Sequence, residues 1–189
     1  MSVADGLRRT RVHSGVSLRV LALRTGIAKP NLSAIERARR EPTSATIDRV
    51  ALALGVTFVP VKTGGRNTVA EASGHVAAAL EAGDTARAYR AVVQIADDLQ
   101  TANPYLRALL AAEPAGSTRP GWDAFIASVT EWRLAEVGLP APDWVLETIG
   151  APDVPWAPPD AVLEARLEHV AEPFRRRGVL IEASELESA

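Results

Sequence analysis

Apolar residues recur at helical spacing along most of this chain, and the breaks between runs fall at glycine and proline. Leu7 and Val12 belong to a first helix that stops at Ser14-Gly15. Ser17 is suited to cap the next, in which Leu18, Leu21 and Ala22 share a face. Thr25-Gly26 should end it, because glycine takes the left-handed backbone of a helix stop without a Cβ penalty. Ile27 re-enters the core, and a further helix begins at Lys29 with Leu32 and Ile35 inward. Pro30 sits in its first turn, where the absent N–H costs nothing. A fourth helix, capped by Ser44, carries Ile47, Val50, Ala51 and Leu54 and stops at Gly55.

Val56 to Val61 is β-prone, with Pro60 restricting it to an edge strand or a plain extended exit. Lys62 to Arg66 reads as a linker. Helical spacing then resumes. Val69, Ala72, Val76 and Leu80 form one face, closed by Gly83. Asp84 caps a helix with Ala88, Val92, Ile95 and Leu99 inward, broken at Asn103-Pro104. Leu106, Leu109 and Leu110 mark a short helix, and Glu113 to Gly121 a polar loop. Trp122, Phe125, Ile126, Val129 and Trp132 define a long amphipathic helix ending near Gly138. Six prolines between Leu139 and Pro159 exclude one regular helix there, so this stretch should wrap over the core. A helix is expected from Asp160 to Glu172 with Leu163, Leu167 and Val170 inward, ended by Pro173-Phe174. Gly178 to Ile181 reads as a short strand or buried extended piece, followed by a last turn at Ser184 to Leu186.

Charge divides the chain more sharply than hydropathy does. The net charge is -2. Residues 1–62 hold eleven Lys+Arg against four Asp+Glu, a net +7, and the remainder carries -9. The basic third favours a polyanion through phosphate contacts and counterion release. The acidic remainder would be repelled by nucleic acid and suits another partner. There is no cysteine, which excludes disulfides and thiol chemistry. His13, His75 and His169 lie too far apart in sequence to suggest a metal site, and no cofactor is implied. No run of apolar residues is long enough to span a membrane, and the N-terminal stretch lacks a signal-peptide core, so a cytoplasmic protein is expected.

Residues 7 to 56 resemble the phage-repressor DNA-binding domain, of the Cro/C1 type also called XRE, built on a helix-turn-helix. The resemblance rests on Arg11, Gly15, Ser17-Leu18, Leu21-Ala22, Thr25-Gly26, Leu32-Ser33, Ile35-Glu36-Arg37, Glu41-Pro42 and Ala53-Leu54-Gly55-Val56. It covers under a third of the chain. One departure is Ala38, where such domains usually have glycine just after the recognition helix. A left-handed alanine is costly, so the helix is expected to end differently here.

The resemblance implies that the helix beginning at Lys29 enters the major groove. Lys29, Pro30, Ser33 and Ala34 then face the bases. Lys29 can donate to guanine, whereas Pro30 and Ala34 offer apolar contact only, so DNA shape should contribute to readout. Ser17, Asn31, Arg37, Arg39 and Arg40 match backbone-contacting positions. Arg11 and Glu36 correspond to a structural ion pair between the first and third helices. A short strand near Val56 that pairs with its copy is a further expectation by analogy.

Catalysis finds little support. A self-cleaving repressor needs a Ser–Lys dyad, and the only lysines are Lys29 and Lys62. Asp97 and Asp98 are adjacent on a helix and cannot face one site together. The chain is therefore expected to be mainly α and not an enzyme. Residues 1–62 would form a helix-turn-helix domain of four to five helices, 63–68 a linker, and 69–189 an acidic helical domain with one or two short strands. The expected function is a dimeric, autoregulatory repressor on a palindromic double-stranded DNA operator. Its second domain would bind a partner protein, as an antitoxin binds its toxin; alternatively it would sense a small molecule. Trp122, Trp132, Trp144 and Trp156 all lie in that domain, as core or as a partner- or ligand-binding surface. Arg175-Arg176-Arg177 reads as a solvated face.

Overall fold

The computed structural model describes residues 3–58, 60–113 and 115–187. It is mainly helical and divides into two compact units, residues 1–62 and 63–189. Among the described residues no helix is long and apolar enough to cross a membrane.

The first unit holds α1 (Val3–His13), α2 (Leu18–Thr25), α3 (Lys29–Glu36) and α4 (Ser44–Leu54). Its core is Leu7, Leu21, Leu32, Val50 and Ala51, with Val16, Leu18, Ile27, Ile47 and Leu54 packed around them. Each buried leucine contributes roughly 1.5–3 kcal/mol. Ser17 caps α2 by accepting from the Val20 N–H, and Gly26 ends it at φ 67. The cap of α4 is Thr43 rather than Ser44, which is the first helical residue. Val12 points outward. The described residues of 56–61 form no strand, and Val59 lies outside the described residues.

The end of α3 corrects the expectation for Ala38. That residue sits at φ 53, in the left-handed region that glycine would occupy. The Ala38 N–H donates to the Ile35 carbonyl and the Arg39 N–H to the Ala34 carbonyl, at 3.0 and 2.8 Å. Those two bonds are a Schellman stop. The helix ends as it would with glycine, and the alanine carries the strain.

In the second unit α5 (Val69–Glu81) and α6 (Thr85–Gln100) form a hairpin turned at Gly83-Asp84, against α7 (Pro104–Ala111) and α8 (Pro120–Ala135). Thr68 and Glu71 make a reciprocal capping box at the start of α5. The stretch expected as a linker is fastened to this unit: Arg66 donates to the Thr101 hydroxyl and carbonyl, and Asn67 donates to Asp98. Helix α8 is buried on nearly every side, from Trp122 to Leu134, so it is a central helix and not an amphipathic one. Leu109 is exposed, and Arg107 takes its expected place inside.

The chain after α8 wraps this core through α9 (Asp143–Glu147) and α10 (Glu172–Arg175). The expected strand reduces to one parallel bridge, Trp156 with Val179. Gly150 and Gly178 are both at positive φ, and a Cβ on either would come within 2.5 Å of the facing backbone. The helix expected over 160–172 is absent. Leu163 and Leu167 are exposed, and only a single 3-10 turn forms at Leu167–His169. Its backbone donors go elsewhere: the N–H groups of Val162 and Leu163 bond Glu185, and that of Arg166 bonds Glu182. Pro173 lies in the first turn of α10 and starts that helix instead of ending one.

Three arginines are buried in this unit. Arg177 donates to the Thr148, Val145 and Pro173 carbonyls and to Glu131, at 2.7, 2.7, 3.0 and 2.7 Å. It is 3% exposed, so one member of the Arg175-Arg176-Arg177 run is a core staple rather than part of a solvated face. Burial draws its pKa down, and Glu131 opposes that. Arg133 holds Glu136 and the Leu186 carbonyl, while Arg107 reaches the Gln100 carbonyl and the other oxygen of Glu136. Rigid guanidinium forks of this kind suit convergent carbonyls and carboxylates.

Candidate nucleic-acid interface

Helix α3 presents one face to the core and one to solvent. Leu32 and Ile35 are buried, Ser33 and Ala34 are partly exposed, and Lys29, Pro30 and Asn31 are exposed. No side chain caps its start, because Ala28 stands at the N-cap. Eight residues give a helix about 12 Å long, comparable with the roughly 12 Å width of the major groove. Its end is followed by Arg37, Arg39 and Arg40, all exposed and unpaired among the described residues. Lys29 and these arginines therefore bracket the helix with positive charge. Ser17, at the exposed start of α2, keeps its hydroxyl proton for an acceptor while its oxygen caps Val20.

The base of α3 is held by a clamp. The Arg11 Nε and Nη2 donate to the two carboxylate oxygens of Glu36, at 2.7 and 2.9 Å, and its Nη1 donates to the Val16 carbonyl at 2.7 Å. One side chain thus ties α1, the turn before α2, and α3. The two side chains are 13% and 12% exposed, so water screens the pair weakly. The Glu36 hydrogen bond raises the Arg11 pKa, against the opposing effect of burial.

Two further contacts hold α2, one at its turn into α3 and one against α4, and neither was singled out from the sequence. The Thr25 hydroxyl donates to the Leu21 carbonyl at 2.7 Å and accepts from the Ile27 N–H at 3.3 Å. Arg24 donates to the Ala53 carbonyl at the end of α4. A buried threonine next to a helix-stopping glycine was the available signal for the first, since that hydroxyl readily bonds the carbonyl four residues back. The contact of Arg24 had none.

In the second unit the tryptophans belong to the core. Trp122 and Trp156 meet edge to face at 5.4 Å, with Phe125 6.3 Å from each. Trp132 packs on Phe174 at 5.9 Å, under the Arg133 guanidinium. Trp144 donates its Nε1–H to the Ala111 carbonyl. Trp122 is buried, and Trp132, Trp144 and Trp156 are half-buried against the same core. Large rings bury most area when they lie between packed helices, and that term wins here. Among the described residues no group of His, Asp and Glu could hold a metal ion.

Residues 7–61 match the Helix-turn-helix family. No curated protein and no solved structure matches the chain. With a family match over α1 to α4, an exposed α3 and cations at both its ends, the first unit is an XRE-type helix-turn-helix domain and the chain that carries it is a DNA-binding transcriptional regulator.

Proposed function

We propose that this regulator is a repressor that works in the cytoplasm by binding rather than catalysis. It reads a palindromic operator as a homodimer, at its own promoter, and its acidic second unit takes up a protein partner in the manner of an antitoxin. The observation that carries the DNA half is α3: exposed along one face, bracketed by Lys29 and by Arg37, Arg39 and Arg40, and clamped by Arg11 and Glu36. Lys29, Pro30, Ser33 and Ala34 are the base-facing set, and Ser17 and Asn31 join the arginines on the phosphates. One short helix covers too few base pairs to select a site from a genome, which argues for two copies related by a two-fold axis. The charge of the second unit argues for a basic protein as its partner.

Selection of bound duplexes from a random pool, followed by footprinting, tests this reading. Two inverted half-sites roughly 34 Å apart are expected, with affinity that falls steeply as salt rises. A single half-site protected by one copy rejects the dimer. A reporter driven by the chain's own promoter that is unaffected by deletion of the chain rejects autoregulation. For the second unit, calorimetry against the products of the flanking genes should show binding without DNA. Absence of binding, together with a metabolite that raises the melting temperature, replaces the partner by a small-molecule signal.

A further inference from the structure

Between Arg133 and Arg166 the chain has no lysine or arginine. Within that interval, from Asp143 to Val154, the wrap over the second core exposes apolar and acidic side chains together. Leu146, Ile149 and Val154 are 56%, 74% and 70% exposed, and Glu147 and Asp153 beside them are exposed as well. Scattered apolar residues on a surface need no explanation, but a cluster on one short segment does.

This segment is not a loose loop. Arg177 donates to the Val145 and Thr148 carbonyls from inside the core. The Ala151 N–H bonds the Arg177 carbonyl at 3.2 Å, the Val154 N–H bonds the Ala151 carbonyl at 3.0 Å, and the Trp156 N–H bonds the Gly178 carbonyl at 2.8 Å. The apolar side chains are therefore presented from a fixed backbone, and little ordering is left to oppose binding.

We propose that Leu146, Ile149 and Val154, flanked by Glu147 and Asp153, form a docking surface for a basic protein segment with an apolar face. The proposal rests on the partner-binding half of the function above and names its site and chemistry. Charge selects the occupant. Nucleic acid and anionic lipid are repelled by these carboxylates, and a second copy of the same face would bring like charges together. A basic amphipathic segment meets both features at once.

The test uses the full chain and a labelled peptide of about 18 residues, built from leucine and lysine with the leucines at helical spacing. Its control is a scrambled isomer without an apolar face. The ordered peptide should bind about tenfold more tightly than the isomer, and L146S/I149S should lose about that factor. E147Q/D153N should weaken binding and flatten its salt dependence. Amide signals of residues 143–156 should shift while those of α3 stay in place. Equal binding of the two peptides, undiminished binding by L146S/I149S, or shifts elsewhere would overturn the proposal. Binding to phosphatidylserine or phosphatidylcholine vesicles in place of the peptide would assign the face to lipid. Loss of self-association in L146S/I149S would assign it to a second copy. DNA binding by both variants should equal that of the parent. A flanking-gene product that binds the full chain with shifts outside residues 143–156 would keep the partner reading and overturn this site, whereas peptide binding at this site with no such product binding would sink the partner reading alone.

Discussion

Replacing Ala38 by glycine should stabilise the first unit. Ala38 is the one described non-glycine residue at positive φ, and it ends α3. An L side chain in this region costs roughly 1–2 kcal/mol through its Cβ and the neighbouring carbonyl. Glycine removes that cost but frees the unfolded chain, which returns roughly 0.5–1 kcal/mol. The net gain is about 0.5–1 kcal/mol, which for a unit of this size raises the melting temperature by roughly 2–8 °C. Gly55→Ala is the mirror experiment. Gly55 ends α4 at φ 73, and a Cβ added there meets nothing within 4 Å. Its loss is thus backbone strain alone, of similar size and opposite sign. The assay is a thermal melt of the full chain followed by far-ultraviolet circular dichroism and by tryptophan fluorescence. All four tryptophans lie beyond residue 62, so fluorescence follows the second unit only and the circular dichroism step without a fluorescence counterpart belongs to the first. If Ala38→Gly leaves that step unmoved or lowers it while Gly55→Ala lowers it, the methyl of Ala38 makes contacts worth its strain, and the reasoning fails.

Three other changes follow from the structure. Arg11→Met strands the Glu36 carboxylate and the Val16 carbonyl and should cost about 2–4 kcal/mol; the double variant R11M/E36L should recover part of that loss in urea melts, because no unpaired charge remains. Arg177→Met leaves the Thr148 carbonyl without its donor and takes one donor each from the Val145 and Pro173 carbonyls and from Glu131, which Arg176 still reaches. It should cost about 3–5 kcal/mol, read as a fall in the fluorescence melt with the step of the first unit unchanged. Burial first, and then the bond to Glu185, raise the Tyr89 hydroxyl above its ordinary pKa of 10.0. A raised pKa means that the stability is full below that ordinary value and is lost as pH rises through the higher one. Melts from pH 8 upward should therefore weaken above about 10, and Tyr89→Phe should remove that part of the slope; an unchanged alkaline slope in the variant refutes it.

How much was legible in the sequence depended on the range of the interactions involved. Helices α2 and α3, their glycine turn and the pair Arg11–Glu36 could be read, the pair through family resemblance and the helices through contacts four residues apart or fewer. The segment 160–172 could not. Its spacing of Leu163, Leu167 and Val170 is that of a helix, and Asp160 stands where a cap would. Against that pattern, Glu182, sixteen residues downstream, takes the Arg166 N–H that a helix would have given to the Val162 carbonyl, and Glu185 holds the N–H groups of Val162 and Leu163, which a helix starting at Asp160 would itself have left free. Periodicity within a short window is blind to such partners. The same holds for Arg177. A run of three arginines gives no sign that one of them points inward, because the carbonyls that receive it come from the proline-rich wrap. For Ala38 the local rule was sound but incomplete: the cost of a left-handed alanine is real, and the two stop bonds with the packing of α3 exceed it.

The division of charge sets how DNA binding and the proposed binding of a partner would bear on each other. A chain of net charge -2 has no long-range attraction for DNA as a whole, so its affinity must come from the local field of the basic unit. In roughly 0.15 M salt the field of a charge decays within about 8 Å. At that ionic strength the groups around α3 act on the phosphates nearest them, and any carboxylate farther than that from the DNA adds little repulsion. In dilute buffer the screening is lifted and the -9 of the second unit opposes the approach of DNA. A basic partner that neutralises those carboxylates would then strengthen DNA binding, and by reciprocity DNA would strengthen the hold on the partner. Raising the salt removes this purely electrostatic link while leaving each contact surface intact. A coupling that survives added salt is then carried by a change in conformation or in oligomeric state, because the electrostatic part has been screened away.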